Sequence, residues 1–253
     1  MIVEFIGSTG AGKTTLIREV QDRLGEKEEV VTSFDVVADR LGLRVITNPT
    51  AKNFIQEMAG FPYFVRSLGR HKEFVSFSLR MLARQSSLTL FTINNLRSLE
   101  RKIGVYEIIR RKENNRTILV DEGTVLVAHN VFVYTDVAYS SEEIDRFANL
   151  VPLPDVIVYI KAPVDILIQR SLMRASPPRE LKSKNPVLIE KYVNRAVKMF
   201  DQLVESENIQ CRLLMVENSG SNGRLREEVV NDIAEFILNK RNSNEQEQRR
   251  LPN

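Results

Sequence analysis

The segment Gly7-Ser8-Thr9-Gly10-Ala11-Gly12-Lys13-Thr14 carries the residue types a polyphosphate needs, at the spacing of a phosphate-binding loop. Glycines let main-chain amides curl around an anion, and a helix starting near Lys13 would direct the positive end of its dipole at the same place. Lys13 is expected to reach the β and γ phosphates of a nucleoside triphosphate. The Thr14 hydroxyl is expected to ligate Mg²⁺, which keeps most of its waters and bridges phosphate oxygens. The nucleotide-binding set is therefore Gly7, Ser8, Thr9, Gly10, Ala11, Gly12, Lys13, Thr14 and Thr15, with ATP and Mg²⁺ as cofactors. The competing reading is an ordinary glycine turn, and the position of the segment between an apolar run and an amphipathic stretch argues against it.

Two further groups have the right chemistry. Asp121 closes a β-branched run, where a carboxylate can hold a water of the Mg²⁺ shell, so Thr14 and Asp121 form the expected metal pair. Asp121-Glu122-Gly123 also suits a plain strand-end turn. Arg170 and Arg174 lie four apart on one helix face, with Arg179 beyond a proline pair, and three guanidinium groups there could clamp phosphate oxygens. A solvated basic face is the alternative for that trio.

The elements that must position these groups can be read from apolar spacing. Residues 1–6 form a short Val/Ile/Phe-containing run that stops at Gly7, the pattern of a buried strand. Leu16, Ile17, Val20 and Leu24 then recur at helical spacing up to Gly25, and residues 30–34 read as a second strand. Residues 35–115 hold helical stretches, the longest predicted from about Lys72 to Leu99 with Phe74, Phe77, Met81, Leu88 and Leu96 on its apolar positions. Asn114-Asn115 marks a turn before the third strand, residues 117–120.

Ser140 and Glu143 have capping-box spacing ahead of a helix that ends near Leu150. Residues 156–160 are the fourth strand, Pro163 suits the first turn of the next helix, and Pro177-Pro178 must stop it. Asn185-Pro186 opens another helix, with Ile189, Val193, Ala196, Phe200 and Leu203 along one face. Residues 211–216 are the fifth strand, which would put Cys211 in the core. A final helix spans about 225–238, and a frayed polar tail follows.

Five apolar strands separated by helices predict an α/β fold, a five-stranded parallel sheet with helices on both faces, in one domain over residues 1–240. The 35–113 region would be a helical substrate or interaction region, 174–185 a lid, and 241–253 the tail. Ligands on such sheets bind at the carboxyl ends of the strands, where the loop, Asp35, Asp121 and the Lys161 region would meet.

These residues resemble the thymidylate kinase-like and deoxynucleoside kinase-like branch of the P-loop kinases, over most of the chain. The likeness rests on the phosphate loop near residue 1, on Pro154-Asp155 leading into Val156-Ile157-Val158-Tyr159-Ile160, and on Ala162-Pro163-Val164-Asp165 leading to Arg170 and Arg174. The stretch Phe77-Ser78-Leu79-Arg80-Met81-Leu82-Ala83-Arg84-Gln85 resembles the family's substrate helix, which implies Arg84 and Gln85 as acceptor-binding residues. The resemblance also implies a P-loop nucleoside triphosphate hydrolase-type three-layer fold, a mobile lid carrying Arg170, Arg174 and Arg179, and an adenine site bordered by residues 219–223. It further implies an acidic catalytic residue at Asp35, where a helix N-cap before Val36 and Val37 is the competing reading. One position departs from the family. After the third strand the family places an acid followed by an arginine, whereas here Asp121 is followed by Glu122.

The expected activity is ATP- and Mg²⁺-dependent phosphoryl transfer to a nucleoside, a nucleoside monophosphate or a similar small acceptor. Lys13, Asp121, Glu122, Arg170, Arg174, Arg179 and Asp35 would be the catalytic set. Two alternatives stay open: an ATPase in which Glu122 positions water, and a nucleotide-binding regulator without transfer activity. No Asn-Lys-x-Asp guanine motif supports a GTPase.

Composition excludes other classes. With 43% apolar and 27% charged residues the chain has ordinary globular usage, and a net charge of +3 does not nominate nucleic acid as a partner. A lone cysteine rules out an intramolecular disulfide framework, and His71 and His129 lack ligand spacing, so both read as structural or exposed. No apolar stretch approaches the roughly 18 residues of a membrane span, and no basic segment followed by an apolar one opens the chain. A cytoplasmic location follows as the expectation, with a homodimer possible through the 72–99 helix.

Overall fold

Every residue from Ile2 to Ile6 is buried, the charged Glu4 included, which requires a strand covered on both faces. The computed structural model describes residues 1–43, 46–84, 90–111, 116–134, 137–174, 185–219 and 223–250. In it Ile2–Ile6 is β1, the centre of a five-stranded sheet of order β2-β3-β1-β4-β5. The other strands are β2 Val30–Thr32, β3 Thr117–Val120, β4 Val156–Lys161 and β5 Leu213–Glu217, and every pairing is parallel. Parallel neighbours need crossovers, which helices supply. These are α1 Lys13–Gly25, α2 Ser33–Arg40, α3 Pro49–Ala83, α4 Leu90–Arg110, α5 Ser141–Leu150, α6 Val164–Met173, α7 Pro186–Leu203, α8 Glu207–Gln210 and α9 Gly223–Arg250.

Strand alternation divides the core. Ile2, Ile118 and Val120 pack with Val36 and Val37 of α2 and with Val105, Ile108 and Ile109 of α4. One residue out of phase, Val3, Phe5 and Leu119 join a larger cluster containing Leu16, Val20 and Leu24 of α1 and Ile233 and Ile237 of α9. The result is a three-layer α/β/α architecture. Full burial of a side chain such as Phe5 or Leu16 contributes on the order of 2 kcal/mol. Among the described residues no helix is long and apolar enough to cross a membrane.

Helix starts follow their capping chemistry. The side chains of Thr32, Asn48, Ser140 and Asn185 accept main-chain N–H bonds at the starts of α2, α3, α5 and α7, and the Ser140–Glu143 capping box is formed. α1 differs: it opens on Gly12 at φ 88° with no side-chain cap.

Several boundaries depart from the sequence expectations. The predicted 72–99 helix is two helices. α3 starts at Asn48-Pro49, bends at His71 (φ −102°, ψ 16°) and ends at Ala83, and α4 begins at Leu90. The buried face of α3 includes Gly60, Ser67, His71 and Ser78, so its small and polar members hide the helical period. β2 stops at Thr32 because that residue caps α2. Cys211 is exposed rather than in the core, because α8 intervenes and β5 starts only at Leu213. α9 continues to Arg250 instead of fraying after 238, where Lys, Arg, Glu and Gln, all good helix formers, outnumber Asn and Ser, and Arg241 pairs with Glu28. Asn114-Asn115, Leu88 and Pro177-Pro178 lie outside the described residues.

Candidate active site

The loop between β1 and α1 is held from behind. Asn218, just past β5, donates its side-chain amide to the Ala11 carbonyl at 2.8 Å, and its own N–H bonds the Lys161 carbonyl at 2.7 Å. Arg170 donates to the carbonyls of Gly10 (3.2 Å) and Asn218 (3.3 Å). Gly12 has to be glycine, since at φ 88° a Cβ would lie 2.5 Å from the Asn218 side chain. These contacts turn the open side of the loop toward a cavity of about 510 Å³ lined by Gly12, Lys13, Thr14, Asp121 and Arg174 among others.

That loop fits a polyphosphate. The first amides of a helix have no intrahelical partner, and those of α1 have no side-chain cap to satisfy them. Ser8 Oγ is buried and makes no hydrogen bond to the protein. The Lys13 ammonium donates to the carbonyls of Gly7 (2.7 Å) and Ser8 (3.2 Å). Burial lowers the Lys13 pKa, against the opposing pull of Asp121 and Glu122.

Across the loop, Thr14 Oγ1 donates to Asp121 Oδ2 at 2.8 Å, so residues 107 apart in sequence meet. Burial raises the Asp121 pKa, while Lys13 and the Thr14 hydrogen bond work to lower it. Among the described residues no group of three or more His, Cys, Asp and Glu side chains could hold a metal. A cation beside Thr14 and Asp121 would therefore draw its remaining ligands from phosphate oxygens and water, which suits Mg²⁺.

Beneath this pair lies a charged network. Glu122 Oε2 accepts from Arg101 Nη2 at 2.7 Å, and Lys102, buried beside it, donates to Asn130 Oδ1 at 2.9 Å. Burial lowers the Lys102 pKa to about 8. Glu4, buried in β1, accepts the N–H groups of Val125 (3.2 Å) and Leu126 (2.9 Å) and so fixes the turn that follows Asp121-Glu122. Burial raises the Glu4 pKa to about 7. A second cavity, about 580 Å³, opens on the β2 side of the acidic pair. It shares Thr14, Asp121 and Glu122 with the first and adds Arg18, Asp35, Lys52, Arg101 and Lys102.

A glycine loop after the first strand of a parallel sheet, an uncapped helix behind it and a Thr–Asp contact across it decide the architecture. The fold is a P-loop α/β/α domain. No family model matches the chain, and no curated protein matches it in sequence. Solved structures similar to this P-loop domain include a shikimate kinase from Bacteroides thetaiotaomicron, 11% identical with a TM-score of 0.47 over 94% of this chain and 98% of that one. A deoxyadenosine kinase from M. mycoides with bound dATP is 17% identical, with a TM-score of 0.46 over 96% of this chain and 100% of the other. A shikimate kinase from Acinetobacter baumannii in complex with shikimate is 18% identical, with a TM-score of 0.40 over 94% and 93%.

The remaining expected residues scatter. Arg174 lines the P-loop cavity. Arg170 is a strut against the loop backbone, because α6 packs directly on Gly10. Asp35 lines the second cavity and is residue N3 of the Thr32 capping box rather than an N-cap. Arg84 lines neither cavity, since α3 ends against α5 and Arg84 pairs there with Glu143. Gln85, Arg179 and most of the expected lid (residues 175–184) lie outside the described residues, as do residues 220–222 of the expected adenine border.

His71 Nε2 lies 2.9 Å from the buried Glu107, and His129, packed among Tyr134, Tyr192 and Phe200, also lines the P-loop cavity. Sequence reasoning missed Arg101, Lys102 and Glu4. The one available signal was the charge of Glu4 inside an otherwise apolar strand.

Proposed function

We propose that this P-loop domain transfers the γ-phosphoryl group of ATP to a small acceptor, a nucleoside, a nucleoside monophosphate or a similar molecule. The observation that carries this is the pair of cavities meeting at Thr14, Asp121 and Glu122. Hydrolysis needs room only for a water beside the nucleotide, whereas transfer needs a second pocket opening on the same carboxylates.

In this reading the loop amides and Lys13 hold the polyphosphate in the first cavity, and Arg174 neutralises charge on the group in transit. Thr14 and Asp121 hold Mg²⁺, which when bound neutralises phosphate charge. The acceptor occupies the second cavity, where Arg101 and Lys102 face it. Its oxygen attacks the γ-phosphorus, the bond to the β-phosphate oxygen breaks, and ADP leaves. Glu122, held by Arg101, takes the proton of a hydroxyl acceptor. The work is mainly positioning and charge neutralisation.

Incubation with labelled ATP and Mg²⁺, with and without a panel of nucleosides and nucleoside monophosphates, tests this. ADP formation that depends on an acceptor is the expected result. Acceptor-independent phosphate release would make the protein an ATPase, and binding without turnover would make it a nucleotide-binding regulator.

A further inference from the structure

One wall of the P-loop cavity has no part in the proposed mechanism. The chain that follows Asp121-Glu122 gives this cavity Leu126, His129 and Tyr134, while the phosphate loop gives it residues between Gly7 and Thr15. Glu4 fixes the start of that wall by accepting the N–H groups of Val125 and Leu126. His129–Val133 is a single π-helical turn, a wide form of helix that is rare and recurs at functional sites.

His129 is only 7% exposed, and its ring is held on three sides. Tyr134 meets it edge-on at 4.8 Å between centroids, Tyr192 edge-on at 5.4 Å, and Phe200 stacks at 6.0 Å. The Tyr192 hydroxyl lies 3.2 Å from Nε2. Burial, with the ammonium groups of Lys13 and Lys102 adding to it, holds the His129 pKa well below the ordinary imidazole value, so the ring is neutral. A neutral imidazole carries one N–H and one bare nitrogen. When the Tyr192 hydroxyl donates to Nε2, the N–H sits on Nδ1. Packing alone would be served by a phenylalanine among these rings, whereas a buried polar ring costs free energy until both nitrogens have partners.

We propose that His129 is a ligand of the terminal phosphate, donating Nδ1–H to a γ-phosphate oxygen of the bound nucleotide. The inference rests on the reading that the loop holds a triphosphate. Lys13 and the metal pair Thr14 and Asp121 mark the β and γ end of that ligand. Lys13 lies close enough for its charge to act on the His129 ring, which places His129 at the same end. The neutral donor completes the contacts of the third phosphate without adding a cation beside Lys13 and Arg174. A contact made only with the third phosphate separates ATP from ADP.

Calorimetric titration of wild type, His129→Phe and His129→Asn with Mg²⁺-ATP and Mg²⁺-ADP tests it. Phenylalanine keeps the aromatic packing and removes the donor; asparagine sets an amide N–H near the place of Nδ1 and leaves the packing incomplete. His129→Phe is expected to weaken ATP binding about tenfold and ADP binding by no more than about twofold, the scale of one hydrogen bond to a charged group. His129→Asn should bind ATP more tightly than His129→Phe does. The reverse ranking is what a packing role gives, and it would overturn the proposal. With two histidines in the chain, imidazole ¹⁵N resonances of wild type read the contact without any substitution. The expected result is an Nδ1–H tautomer at His129 whose signals move with Mg²⁺-ATP and much less with Mg²⁺-ADP. An Nε2–H tautomer, or signals unmoved at saturating ATP, sinks this inference and leaves the nucleotide site standing. A wild type that binds no ATP sinks both.

Discussion

Lys13 and Glu4 show two ways in which one side chain supports the site. Lys13 is enclosed with its ammonium turned onto the loop carbonyls. Lys13→Ala should lower kcat/KM about 100-fold or more, the scale on which removal of one positioned transition-state donor acts. Steady-state ADP release reads this out, and a residual activity within a few-fold of wild type would count against the role.

Glu4 makes a prediction about stability. Its folded pKa of about 7 lies above the ordinary 4.5, so between those values the folded protein holds a proton that the unfolded chain releases. Stability should therefore fall as pH rises through that window, by on the order of 3 kcal/mol for this group alone. Glu4→Gln should flatten that dependence in urea titrations at pH 5 and pH 8. An unchanged slope would show that Glu4 is not its source. At this scale the loop was readable because its residues are contiguous. Arg101 was not, because its contact with Glu122, between α4 and the end of β3, leaves no spacing signature.

Helices with local chemistry at their ends were legible: α1 runs from Lys13 to Gly25, α5 follows the Ser140 capping box, and α7 follows Asn185-Pro186. α3 and α4 were less so, because they touch at a crossing of residues without side chains. A Cβ on Gly104 would lie 2.5 Å from the Gly60 carbonyl oxygen, so the two backbones touch at that crossing. Gly104→Ala is expected to destabilise the fold by about 1–3 kcal/mol through overpacking. Gly25→Ala, where a Cβ meets nothing within 4 Å, should be neutral or slightly stabilising. Chemical denaturation midpoints compare the two, and equal effects would remove the close crossing as the cause. α9 outran its expected end for a related reason: polar composition alone does not separate a solvated helix from a frayed tail.

Across the whole molecule, the parallel order β2-β3-β1-β4-β5 brings the loop after β1 and the acids after β3 to one sheet edge, and the cavities open on either side of Thr14, Asp121 and Glu122. The sheet and this edge could be anticipated from five apolar runs. The second cavity could not, because α2, α3 and α4 contribute to it residues scattered between 32 and 105. If that cavity takes the acceptor, Arg101→Met should raise the acceptor KM at least several-fold and leave the KM for ATP near wild type. An equal rise in both would place Arg101 with the nucleotide instead.

Everything at this scale requires that the loop hold a magnesium-linked triphosphate, which calorimetric titration with ATP measures directly. Saturable binding that strengthens with Mg²⁺, is lost in Lys13→Ala and loses its Mg²⁺ dependence in Asp121→Asn is the predicted result. Absence of ATP binding with Mg²⁺ present, or binding indifferent to both substitutions, would contradict it.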